Sequence, residues 1–160
     1  MNQFDIDICF MQQALVCAKQ SLTDGEVPVG AILVANDQAI VKTYNQTISH
    51  CDPTAHAEIL ALRQAAKQIA NHRLLEATIY VTLEPCLMCI GAMIQARIKR
   101  LVFAAYDKQL SAEGSVFNIL QIKGINHHFS ITDGLLANES AEILKEFFQL
   151  CRDKGKSSKN

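Results

Sequence analysis

Two segments far apart in the chain, His56-Ala57-Glu58 and Pro85-Cys86-Leu87-Met88-Cys89, carry one imidazole, two thiols and a carboxylate. If they act together, the fold must close both on a single point. One histidine and two cysteines are three metal ligands, and three ligands leave the fourth tetrahedral position open for water. In Cys86-x-x-Cys89 the thiols share one face of a first helical turn, where the helix dipole favours thiolates. Two thiolates neutralise a divalent ion, so water there ionises less readily than on an ion held by three imidazoles. A nearby base then gains value, and Glu58 is placed to be that base. A dipole-complementing glutamate at a helix start explains the acid but not its coincidence with the ligands. A lone C-x-x-C also fits a redox pair or half of a closed structural site. No second C-x-x-C and no H-x-x-x-H occurs, so a closed site needs Cys51 or a distant histidine.

The chain has 160 residues, 49% hydrophobic and 19% charged, which suits one globular domain over 1–160. No apolar run reaches the roughly 18 residues of a membrane span. The start, Met1 to Asp5, lacks the basic and apolar stretches of a signal peptide, so the expected location is cytoplasmic. The six cysteines are therefore expected to be reduced. Cys9, Cys17 and Cys151 read as small buried hydrophobes and Cys51 as a bystander. A net charge of -1 does not by itself announce a nucleic-acid binder. From Cys151 onward, Arg152, Lys154, Lys156 and Lys159 outnumber Asp153; a flexible solvated tail over about 152–160 and a polyanion contact both fit.

Helical spacing of Met11, Leu15, Ala18 and Leu22, with Gly25 as the stop, predicts a first helix. Val27 to Val34, the Asn36-Asp37 turn and Ala39 to Tyr44 read as a hairpin. A helix follows Asp52-Pro53-Thr54, with Thr54 as N-cap and Ile59, Leu62, Ala66 and Ile69 as its buried stripe. Ala77 to Leu83 reads as a strand, a helix opens at Cys86, and Leu101 to Ala105 reads as a buried strand. A polar loop over Asp107 to Ser115 precedes a short helix near Val116 to Leu120. His128 to Ile131 reads as a weak strand. A final helix over about 135–151 turns Ile143, Phe147 and Leu150 inward. Helices alternating with strands after a hairpin imply an α/β fold of three layers, α/β/α, with a mixed five-stranded sheet and helices on both faces. The metal-binding core is expected over about 4–120.

H-x-E with P-C-x-x-C resembles the zinc signature of the cytidine deaminase superfamily. The segments Glu26 to Ala31, Asn45, Asp52 to Glu58, Tyr80 to Cys86, Gly91 to Ile94 and Asn126-His127 are similar to those of the tRNA-specific adenosine deaminases, and the likeness runs from about Phe10 to Phe148. The resemblance implies a cytidine-deaminase-like fold and one zinc ion per subunit on His56, Cys86 and Cys89, with Glu58 as proton shuttle. It implies that Asn45 and the backbone of Ala57 contact the base, with Val27, Pro28 and Leu83 as pocket walls. It also implies a homodimer that binds the anticodon loop of an arginine tRNA and converts its wobble adenosine to inosine, releasing ammonia. Lys42, Lys108, Arg152 and Lys154 are candidate RNA contacts. The family commonly has Asp-x-Lys-x-Gly where this chain has Asp107-Lys108-Gln109-Leu110-Ser111, and often an arginine where it has His128. Both departures bear on RNA gripping rather than chemistry. Two other readings stay open: a guanine or cytosine deaminase acting on a free base or nucleotide, and a non-catalytic zinc or RNA-binding protein.

Overall fold

The computed structural model describes residues 1–113 and 115–157, apart from the side chains of 111–113. Its elements are α1 (Gln3–Thr23), β1 (Gly30–Ala35), β2 (Gln38–Tyr44), α2 (Ala57–Ile69), β3 (Thr78–Leu83), α3 (Leu87–Ala96), β4 (Arg100–Ala105), α4 (Lys108–Glu113), α5 (Val116–Leu120), β5 (Ser130–Thr132) and α6 (Ala137–Ser157). The five strands lie in the order β2-β1-β3-β4-β5. β1 runs antiparallel to β2 and β3, whereas β3, β4 and β5 run parallel. The sheet is mixed, as the hairpin followed by alternating helices implies.

Side-chain alternation along the central strands separates two cores. Ala31, Leu33, Ile79, Val81, Leu101 and Phe103 face α2, α3 and α5. Ile32, Val34, Tyr80, Val102 and Ala104 face the opposite way, with Met11 and Ala14 of α1. The α1 and α6 helices meet through Leu15, Ala18 and Ile143. Gly30 allows α1 to lie directly on β1. A Cβ there would come within 2.0 Å of the Ala14 carbonyl oxygen and 2.7 Å of the Ala18 nitrogen.

Several local expectations change. Helix α2 is capped by His56 rather than Thr54, because Asp52 Oδ1 takes both the Thr54 N–H and hydroxyl into a turn ahead of the helix. Its buried face is Ala57 to Leu62 with Ala65; Ala66 is half-buried and Ile69 is exposed. The stretch after Asp107 is helical, because Asp107 Oδ1 accepts the N–H groups of Gln109 and Leu110 as an N-cap would. Helix α6 continues through Ser157, so Arg152, Lys154 and Lys156 stand on a helix and not on a flexible tail. Lys159 lies outside the described residues, as does the side chain of Ser111. On α6, Ile143 is buried and Phe147 half-buried, but Leu150 is exposed. Cys9 and Cys151 are exposed and Cys17 half-buried, contrary to the expectation of buried thiols.

Away from the opening motif, one buried ion pair ties α1 to the sheet. Arg100 donates two hydrogen bonds to Asp7, at 2.8 and 2.6 Å, and Tyr80 adds a third at 2.7 Å. Burial pushes the Asp7 carboxyl up, but the hydrogen bonds from Arg100, Tyr80 and Gln3 outweigh it and hold the group below its ordinary 3.8. A depressed carboxyl contributes stability that is present above its unfolded-state pKa and lost as the pH falls through its folded-state pKa. Asp7→Asn is expected to cost about 3 kcal/mol at pH 7, because it leaves a mostly buried guanidinium without its anion. The gap from wild type should shrink below about pH 4, where wild type loses the same interaction. Urea unfolding at pH 7 and pH 3 measures both; a gap that stays constant would refute the assignment.

Candidate active site

Strand directions collect several chain ends along one edge of the sheet. β1 begins where β2 ends, with Gly30 paired to Tyr44, and β3 ends beside β4, with Leu83 paired to Ala105. Residues just outside those ends therefore converge: Val27 and Val29 before β1, Asn45 after β2, Glu84 after β3, and Asp107 after β4. With His56, Ala57, Glu58 and Cys86 they line a cavity of about 270 Å³. Ligands of α/β sheets commonly bind outside the carboxyl ends of the parallel strands, which is where this cavity opens.

Two helix starts supply the metal donors. His56 is the N-cap of α2 and Cys86 the N-cap of α3, and neither side chain makes the capping hydrogen bond. Their side chains are therefore left to face each other. His56 Nδ1 lies 3.6 Å from Cys86 Sγ and 3.5 Å from Cys89 Sγ, and the two sulfurs are 3.6 Å apart. These separations match the edges of a tetrahedron around one ion with ordinary nitrogen and sulfur bond lengths, roughly 3.5 to 3.8 Å. The His56, Cys86 and Cys89 donor atoms lie within 4.8 Å of one another, so the group is arranged to hold one metal ion. Cys51 is exposed and is not part of the group. His56 and Cys86 also line the cavity.

Glu58 lies in the first turn of α2, 4% exposed. Burial pushes its carboxyl up to about 7, opposed by backbone hydrogen bonding and by His56. Hydrogen bonding from Cys89 and from His56 outweighs burial at Cys86 and brings that thiol down to about 4. The Cys89 thiol is pushed up by its bond to Cys86 and by burial.

Asn45, 6% exposed, also lines the cavity. Its Nδ2 donates to the Val27 carbonyl at 3.2 Å, and its Oδ1 is buried without a hydrogen-bond partner. A buried acceptor left unpartnered costs about 1–3 kcal/mol, which a ligand donor would recover. Ala57 lines the cavity, and its carbonyl accepts from Thr43 at 2.8 Å, fixing the start of α2 to β2. Val27 and Leu83 are cavity walls, but Pro28 is not; it is buried between two residues that are.

A second cavity, of about 520 Å³, shares Val27, Leu83 and Asp107 with the first and extends between Tyr106, Lys108 and the α6 residues Leu144 and Phe148. Lys108 thus lies beside the site. Lys42 is exposed on β2, and Arg152 and Lys154 are exposed on α6; none of the three lines either cavity. His127 donates through Nε2 to the Ile98 carbonyl and His128 to that of Leu120, both at 2.8 Å, so both fasten the segment before β5. Residue typing also missed Thr47, Val29, Glu84 and Asp107 as cavity residues. Glu84, 2% exposed, accepts from the Asp107 and Val116 N–H groups and holds the chain after β4. Its place directly before Pro85-Cys86 was the available signal.

A family model described as MafB19-like deaminase matches residues 4–152. The tRNA-specific adenosine deaminase of Haemophilus influenzae is 47% identical over 156 residues, covering 97% of this chain and 90% of that protein. A solved structure from studies of A-to-I editing by tRNA:A34 deaminases at the wobble position of transfer RNA superposes with a TM-score of 0.79 at 39% identity, covering 84% of this chain and 98% of that one. The guanine deaminase of Nitrosomonas europaea superposes with a TM-score of 0.75 at 27% identity, covering 88% and 83%. The layered sheet, the donor cluster and these similarities agree: the protein is a hydrolytic deaminase of cytidine-deaminase-like fold, and it belongs to the family of tRNA-specific adenosine deaminases.

Proposed function

We propose that this enzyme deaminates the wobble adenosine in the anticodon of an arginine tRNA, consuming water and yielding inosine and ammonia. The carrying observation is that one pocket is lined by a buried carboxyl, Glu58, by members of a three-donor metal site, and by Asn45, whose Oδ1 is unpartnered. The similarity to a tRNA-specific adenosine deaminase and to a tRNA:A34 deaminase supports tRNA adenosine as substrate and the wobble position as its place. We assign one zinc ion per subunit to His56, Cys86 and Cys89, since a mixed nitrogen and sulfur set in tetrahedral spacing suits zinc. Zinc held there lowers the pKa of a water molecule and so supplies the nucleophile.

The chain's own groups carry the protons. Glu58 takes one from the attacking water and delivers it to N1 of the adenine ring as the C6–O bond forms. It then takes the second water proton from the new C6 hydroxyl and passes it to the 6-amino group; the C6–N bond breaks, the C6 carbonyl forms, and ammonia leaves. A carboxyl raised by burial suits a group that accepts and returns protons near neutrality. Asn45 Oδ1 takes a hydrogen bond from the base, and Val27 and Leu83 close over its apolar faces. The anticodon loop presents this base already unpaired, so little unstacking is required. Lys108 beside the site, Lys42, and Arg152 and Lys154 on α6 are proposed to meet the phosphates, with two copies of the chain forming the working unit in the cytoplasm. Among the described residues no helix is long and apolar enough to cross a membrane.

A free-base reading has the guanine deaminase similarity in its favour. Ammonia release decides between them: an arginine anticodon stem-loop is expected to be turned over far faster than guanine, cytosine or free adenosine, and the opposite order would overturn the RNA assignment. In that assay Glu58→Ala should lower kcat by roughly 10²–10⁴-fold with zinc and RNA still bound. Loss of zinc in the variant would mark Glu58 as structural instead.

Zinc content after dialysis tests the ligands. Cys89→Ser is expected to lose stoichiometric zinc, whereas Cys51→Ser should keep one ion per chain. Retention in the first variant would remove Cys89 from the set. For the α6 cations, Arg152→Ala with Lys154→Ala should weaken RNA binding and reduce the slope of log K against log salt by roughly one to two. An unchanged slope returns both to the solvated surface.

A further inference from the structure

The segment from Asn45 to His56 joins a base-facing residue to a metal donor without a helix or strand of its own. Internal bonds such as Asp52 N–H to the Thr47 carbonyl, at 3.1 Å, give it shape but do not attach it to the sheet. Glu26 does. It is 1% exposed, and its carboxylate accepts from the Ser49 N–H at 2.7 Å, the Ile48 N–H at 3.1 Å and the Thr47 hydroxyl at 3.4 Å. Burial acts to raise the Glu26 carboxyl, but the Ser49 and Ile48 N–H groups outweigh it and keep the group below its ordinary 4.5. A buried carboxylate held by neutral donors is a costly anchor, and among the described residues its partners lie in this loop.

Ser21 provides the second fastening. It is fully buried in the last turn of α1, with Oγ 3.0 Å from the Val27 carbonyl and 3.1 Å from the Asn45 carbonyl. The Val27 carbonyl also receives Asn45 Nδ2, and the Asn45 N–H donates to Val29 at 2.9 Å. This fixes the sense of the amide. A carbonyl accepts only, so the NH₂ end of Asn45 must face Val27 and its oxygen is the end left in the pocket wall. If Val27 or the Asn45 backbone shifted, the amide could turn over and present a donor where an acceptor now stands. Neither Ser21 nor Glu26 lines the pocket.

We propose that Ser21 and Glu26 are positioning residues for base recognition, holding Asn45 so that its side-chain oxygen faces the substrate. The inference rests on the reading of Asn45 as the base-facing residue. The test is a pair of double-mutant cycles on the zinc-loaded protein with an arginine anticodon stem-loop, using Glu26→Gln, Ser21→Ala, Asn45→Ala and each combination with Asn45→Ala. Glu26→Gln is expected to lower kcat/KM about tenfold and Ser21→Ala several-fold, with zinc content unchanged. On the Asn45→Ala background each should cost less than about twofold, because the group they act through is gone. Equal fold losses on both backgrounds would overturn the proposal and leave them as general stabilisers. Should Glu26→Gln fail to fold, the Ser21 cycle decides alone, since it removes one hydroxyl and leaves the loop's carboxylate anchor in place. If wild type ignores the stem-loop, the RNA reading fails separately, and the same cycles are run on whichever free base is deaminated.

Discussion

Three acidic groups crowd one imidazole, and a cation among them would offset the repulsion of their ionised forms. Cys86, Cys89 and Glu58 are packed against His56 with little solvent to screen them. Burial pushes the Glu58 carboxyl up, the bond to Cys86 together with burial pushes the Cys89 thiol up, and hydrogen bonding from Cys89 and His56 brings the Cys86 thiol down. A divalent ion held there would displace the remaining protons, because its ligands must be deprotonated. The fold therefore has to hold four side chains from two segments closely enough that the exchange is worth its desolvation.

The sheet achieves this by direction. Because β1 is antiparallel to β3 while β4 is parallel to it, the start of β1 and the ends of β2, β3 and β4 meet on one edge. Each end contributes a residue that its strand could not place in the sheet interior. Close approach of α1 through Gly30 brings Ser21 beneath the loop that carries Asn45. The site thus depends on a glycine that is not part of it.

What the sequence discloses, and what it hides, follows from how local each feature is. The H-x-E and P-C-x-x-C segments announce themselves because their spacing is set within a single helical turn. The strands are legible because β1 and β4 are apolar on nearly every position and β3 is rich in β-branched residues, and the mixed sheet follows from a hairpin preceding alternating helices. Caps were harder. Thr54 has the right chemistry, yet Asp52 captures it into a turn and the helix starts two residues later. Helix α4 hid in a polar stretch because one carboxylate, Asp107, caps it. The extension of α6 through its basic end has no strong apolar signal, and its exposed Leu150 shows that tertiary packing does not enforce it. Glu26 and Glu84 were the least legible, since their partners are backbone N–H groups far away in sequence.

Those two carboxylates also explain why the pocket rims consist of loops. A loop can approach a substrate more closely than a helix face can, but it must be held rigid to recognise one. Apolar packing would hold it only loosely, because dispersion contacts have little directionality. A buried carboxylate accepting backbone N–H groups is directional, and displacing it exposes both an unpaired charge and unpaired donors. Glu26 applies this to residues 47–49 on one rim, and Glu84 applies it to residues 107 and 116 on the other. Such rims resist the small displacements that would misdirect Asn45 while leaving the pocket mouth open, so orientation of the donor and acceptor groups precedes ligand binding instead of following from it.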